Sequence, residues 1–262
     1  MTGINEEDDI EASKAPLLDH LIELRKRLIY SVVAFVLCFI LCFVFAKNIY
    51  SFLTLPLAHA LAGKANDHLI YTALYETFFT YVKVGMFAGV CLAFPVIAAQ
   101  VWLFVAPGLY KKERRAFLPF LFATPVLFIA GGAFVLYVML PYAIHFFLSY
   151  ETPPSNGGLG IQLQAKVSEY LDFVMALIFA FGLTFQMPVL LTLLGRVGII
   201  TSTQLRQVRR YAIVGIVALS GILTPPDAFS MISLAVPLVA LYEISILLVW
   251  MIERGRAKEE VA

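Results

Sequence analysis

Two glutamates in this sequence stand among cations at spacings that favour chemistry. Glu23 lies in the run Leu17-Leu18-Asp19-His20-Leu21-Ile22-Glu23-Leu24-Arg25-Lys26-Arg27-Leu28, in which Leu17, Leu21, Leu24 and Leu28 recur at helical spacing. A helix of this pattern lies along a membrane interface with its polar face outward, and Glu23 is on that face. Glu113 is the one carboxylate among Lys111, Lys112, Arg114 and Arg115. In the local arrangement, Glu23 pairs with Arg27 one turn on, worth about 0.3 kcal/mol on a helix surface, and Glu113 pairs with a neighbouring cation. In the other arrangement each carboxylate grips a guanidinium brought by a ligand, for which the planar fork of arginine is well suited. A ligand with two adjacent arginines fits that second arrangement.

Other polar positions carry less. Gln186, in Thr184-Phe185-Gln186-Met187-Pro188, is an uncharged amide inside an apolar stretch, able to hydrogen-bond a neighbouring helix of this chain or of a partner. An ionised carboxylate at the centre of a spanning helix would cost about 2.5–3.5 kcal/mol there. Asp227 precedes Ala228 and Phe229 where a helix N-cap would sit, and Pro56 is placed to shape a loop. No catalytic residue is visible: the sequence lacks G-x-x-x-x-G-K-[ST], H-E-x-x-H and G-x-S-x-G, and its four histidines, at 20, 59, 68 and 145, are scattered. Cys38, Cys42 and Cys91 all fall in apolar runs and describe neither a disulfide framework nor a metal site. No cofactor is expected, and a net charge of +1 supplies no field for nucleic acid.

The elements that position these residues are set by lipid. With 61% hydrophobic and only 14% charged residues, the chain is far from the balance of a soluble domain. A spanning helix needs about 20 mostly apolar residues, and residues 28–46, 84–106, 117–140 and 170–194 meet that need. Residues 211–223 and 229–250, joined by Thr224-Pro225-Pro226-Asp227, read as a shorter hairpin that completes six spans. The 13 residues of the fifth span give about 20 Å of helix, about 10 Å less than a hydrocarbon core, so the bilayer is expected to thin beside it. Prolines 95, 119, 125, 188 and 237 fall inside apolar runs and predict kinks, and Gly85 and Gly89 permit close helix approach.

Basic residues set the orientation. Of 19 Lys and Arg, only Lys47, Lys64, Lys83 and Lys166 fall on one side of the spans, which places the other side, with both termini, in the cytoplasm. The fold class is thus all-α, a polytopic integral membrane protein of six kinked spans with shorter fifth and sixth spans and N-in/C-in topology. Residues 1–16 form an acidic, solvated tail with no cleavable signal peptide, 17–252 a single membrane domain, and 253–262 a cytoplasmic tail. The two external segments, 48–81 and 141–169, are expected to cap the outer face with amphipathic stretches.

The sequence resembles the TatC family of the twin-arginine protein translocase along essentially its whole length. The match is carried by His20 through Leu28, by Gln100-Val101-Trp102 with Phe104 to Pro107, by Leu109-Tyr110-Lys111 with Glu113-Arg114-Arg115, by Phe173-Val174-Met175-Ala176-Leu177, and by Leu223-Thr224-Pro225-Pro226-Asp227. The resemblance implies a receptor for twin-arginine signal peptides of folded precursors, in a prokaryotic inner membrane. It also implies small single-span partners of the TatA/TatB type, a homo-oligomer in a larger complex, and transport driven by the proton-motive force. Carried over residue by residue, it implies signal-peptide binding at Glu23 and Glu113 with Arg25, Phe104 and Lys111 nearby, and roles for Pro56 and Asp227. Many members carry a glutamate where this chain has Gln186, so an account that needs a titrating carboxylate there does not carry over; some carry a polar residue where it has Met231, so the neighbourhood of Asp227 carries over only in part. The rival reading, a small-solute secondary transporter, would place charged groups near mid-membrane, and beyond Gln186 and Glu243 the spans offer almost none.

Overall fold

Apolar runs become helices because no water is present in a bilayer to satisfy a bare backbone. A computed structural model describes residues 6–63, 68–105, 118–152, 159–224 and 228–259. The described residues form α1 (Glu6–Val44), α2 (Ala46–Leu61), α3 (Glu76–Val105), α4 (Leu118–Phe134), α5 (Leu140–Leu148), α6 (Val167–Thr184), α7 (Met187–Val197), α8 (Ser202–Leu223) and α9 (Ala228–Glu259). A π-helical turn, Val135–Met139, joins α4 to α5. The protein is all-α; the described residues hold only two isolated bridges, Ile70 with Lys166 and Thr152 with Ile161.

Among the described residues, five stretches are long and apolar enough to cross a membrane: His20–Val44, Glu76–Phe104, Pro119–Leu148, Val167–Val197 and Met231–Gly255. Helix α8 is not among them, because Arg206, Arg209 and Arg210 occupy its first turns and only residues 211–223 are continuously apolar. Its start is fixed by a capping box, in which Thr201 Oγ1 accepts from the Gln204 N–H while the Gln204 side chain accepts from the Thr201 N–H. The interfacial helix and the first span are one continuous 39-residue helix, which also runs back to Glu6 through the stretch expected as a tail.

Prolines act according to their position. Pro188 breaks the expected span 170–194 into α6 and α7: it cannot donate to the Thr184 carbonyl, and it sits in the first turn of α7, where no donor is required. Pro119 marks the first turn of α4 and kinks nothing, whereas helices continue through Pro95, Pro125 and Pro237. Pro56 lies inside α2, in the helix that replaces the expected loop. That helix supplies an amphipathic stretch within the segment 48–81, with Leu53, Leu57 and Leu61 buried at four-residue steps.

The core gathers Leu53 and Leu57 of α2, Leu140 and Ile144 of α5, Leu171, Val174 and Phe181 of α6, and Leu234, Leu238 and Ile246 of α9. Around it, side chains such as Leu37, Phe122, Val126 and Ile222 remain exposed, as expected where lipid is the solvent. Helices meet through glycine, since lipid tails are as apolar as leucine and close packing must hold the pairs together. A Cβ on Gly89 would lie 2.8 Å from Phe39 Cα, and one on Gly131 would lie 2.8 Å from the Phe181 carbonyl oxygen. The G-x-x-x-G of α3 is therefore the seam against α1.

Candidate functional site: the α1–α3 seam at the basic end

Helices α1 and α3 run antiparallel and form the most extensive helix pair among the described residues. Their contact begins at Phe43 against Gly85 and Phe39 against Gly89, and it closes at the end rich in Lys and Arg with one aromatic and one polar cross-link. The His20 ring stacks on Phe104 with centroids 4.4 Å apart and planes 22° apart. Arg27 Nη1 donates to Gln100 Oε1 at 3.2 Å. His20, Glu23 and Arg27 follow at steps of three and four residues, so they share the face of α1 turned towards α3.

Glu23 sits between these cross-links. Its Oε1 accepts from Arg27 Nη2 at 3.1 Å, and among the described residues no other group donates to it. The local ion pair read from the sequence is thus present, and it leaves Glu23 with 30% of its side chain exposed. Ile22, Glu23, Lys26, Arg27 and Tyr30 line an open groove of about 410 Å³. Arg25 is exposed but does not line the groove, since two residues on from Glu23 it points to another side of α1, and Phe104 is half-buried under His20. Lys111 and Glu113 lie outside the described residues. A partly exposed carboxylate in a groove of mixed polarity, held by a single bond from one side, is suited to receive a cation from the other.

Gln186 is in a different part of the molecule. It is buried, and its Nε2 donates to the Thr124 carbonyl at 3.0 Å and the Gly182 carbonyl at 3.3 Å, joining α4 to the α6–α7 break. Thr124 Oγ1 accepts from Trp102 Nε1 at 3.2 Å, which brings α3 into the same polar knot. The Oε1 of Gln186 is buried with no partner among the described residues. Pro56 is half-buried between the buried Leu53 and Leu57, and Asp227 lies outside the described residues.

Three pairings were missed by sequence reasoning. Gln100 stood in a recognisable stretch, but nothing in its spacing announced a bond to Arg27. Asp172, inside the span 170–194, is held by Lys83 Nζ at 2.7 and 3.0 Å, so the spans are less empty of charge than they read. Glu76 at the start of α3 is buried, accepting from the backbone of Thr72 at 2.9 Å and from Ser168 Oγ at 2.7 Å. A carboxylate at the first position of a helix was the available signal for Glu76. Glu243 is also paired, with Arg209 at 2.7 Å.

A family model described as Sec-independent protein translocase protein (TatC) matches residues 19–237, which take in Glu23, Phe104, Glu113 and Gln186. The chain belongs to the TatC family. Among its relatives, the TatC protein of Magnetococcus marinus is 48% identical over 97% of this chain and 90% of its own length. That of Escherichia coli K12 is 39% identical over 94% of this chain and 92% of its own. A crystal structure of the twin-arginine translocase receptor TatC in DDM superposes with a TM-score of 0.74 at 37% identity, covering 87% of this chain and 98% of that one.

Proposed function

We propose that this chain is the receptor and core subunit of a twin-arginine translocase, binding twin-arginine signal peptides at its cytoplasmic face. It exports folded proteins with TatA/TatB-type single-span subunits as part of a larger oligomer, and the proton-motive force drives transport. The observation that carries the reading is the half-exposed Glu23 carboxylate over an open, partly apolar groove at the α1–α3 seam. Glu23 grips one guanidinium and Glu113 the other, with Arg25, Phe104 and Lys111 as neighbours, while the apolar wall of the groove receives the hydrophobic stretch of the signal. Helix α8 completes six spans, and the excess of Lys and Arg on one side puts both termini in the cytoplasm. Gln186 binds α4 to α6, and its burial supports helix packing within the chain over contact with a partner's helix. Nothing in the site favours a small-solute carrier, which the family match leaves without support.

Photocrosslinking of a twin-arginine precursor to membranes carrying Glu23→Ala with Glu113→Ala tests the assignment. Crosslinking is expected to be lost while the protein stays inserted; crosslinking at the level of the unmodified protein would refute the two-carboxylate site.

A further inference from the structure

The bond between Arg27 and Glu23 occupies one of the two oxygens that a ligand arginine would need. Arg27 is committed on two sides, with Nη2 on Glu23 and Nη1 on Gln100, while its Nε is buried without a partner among the described residues. We infer that Arg27 is the specificity-determining residue of the site: it holds Glu23 in the empty receptor, and only a ligand group that forks onto both carboxylate oxygens displaces it. The inference rests on Glu23 being the ligand carboxylate.

Displacement chemistry separates the two natural cations. A lysine ammonium is a compact, strongly hydrated point charge; it exchanges one bond for one bond and must shed more water to do so. A guanidinium brings two parallel N–H groups, so it replaces the Arg27 bond and adds a second. Arg27 gives up little on leaving, because it keeps its bond to Gln100 and its Nε has none to lose. The contact being displaced is an ordinary i,i+4 pair on a half-exposed face, weak enough for a forked ligand to break. Without Arg27, both oxygens of Glu23 are open and either cation binds.

The test measures binding of a fluorescent signal peptide with paired arginines, and of the same peptide with paired lysines, to the full chain in nanodiscs. For Arg27→Gln, removal of a competing cation leaves affinity for the arginine peptide within about twofold and raises that for the lysine peptide up to about fivefold, so the preference for arginine falls. Arg27→Lys keeps the charge without the fork, and its preference lies between those two. Weaker binding of both peptides by Arg27→Gln would make Arg27 a strut and overturn the proposal, as would an unchanged preference. If Arg27→Gln fails to insert, Arg27→Lys decides alone, a preference equal to the unmodified protein overturning it. Undiminished arginine-peptide binding by the protein with Glu23→Ala and Glu113→Ala would instead remove the receptor reading itself.

Discussion

The Gln186 amide gives two hydrogen bonds to backbone carbonyls of α4 and α6, and it keeps a buried oxygen with no donor. Gains and losses at such a group nearly cancel, since the two bonds contribute about 1 kcal/mol each and the unpaired oxygen costs about as much. Gln186→Leu is therefore expected to change thermal stability in detergent by no more than about 1 kcal/mol. Gln186→Glu removes the donor and points an ionised group at two carbonyl oxygens; a loss of about 2.5–3.5 kcal/mol is expected. Equal melting temperatures for the two variants would show that the knot around Thr124 contributes nothing specific. Glu23 and Arg27 differ in kind, because their pair is half-exposed and contributes to recognition more than to stability.

Between α1 and α3, the element that sets the site is a glycine seam about three turns away from it. A side chain at Gly89 would strike the backbone of Phe39, and a flexible neighbour cannot relieve a backbone contact. Gly89→Leu should push α1 off α3, break the stacking of His20 on Phe104 and separate Arg27 from Gln100. The expected cost is about 1–3 kcal/mol of stability, with signal-peptide binding falling although no ligand-binding residue has changed. Binding at the unmodified level would show that the seam does not position Glu23. At α8 the decisive feature is length, since its apolar part is 13 residues. Adding one helical turn within residues 211–223 restores the missing span length and should impair export if local thinning of the bilayer lowers the barrier to cargo. Full export by that variant would remove thinning from the mechanism.

On the scale of the whole molecule, the end opposite the Glu23 site is closed by Glu76, which ties the start of α3 to the segment before it and to the start of α6. Parallel pairing of Ile70 with Lys166 follows the same tie. Glu76→Ala should leave the helices inserted and open this end, read as faster protease cleavage between α5 and α6 in spheroplasts; unchanged cleavage would show that the bridge suffices without the carboxylate. Orientation can be read with an impermeant thiol reagent on a cysteine-free background. A cysteine at Leu74, which is 98% exposed, should react from outside intact cells, and one at Gly255 only after lysis. The reverse pattern would invert the topology.

Apolar length, the asymmetry of Lys and Arg, and a few ordered motifs determined that this chain is a helical membrane protein of the TatC family, because insertion into lipid depends on summed hydrophobicity and charge along the chain. The Glu23–Arg27 pair was legible too, since one helical turn brings those residues together whatever surrounds them. Only the tertiary structure decided what lies across the helix gaps: Gln100 on Arg27, Phe104 on His20, Asp172 on Lys83 and Ser168 on Glu76. Those partners are far apart in sequence, and they meet because glycine seams and a proline break fix how the helices pack.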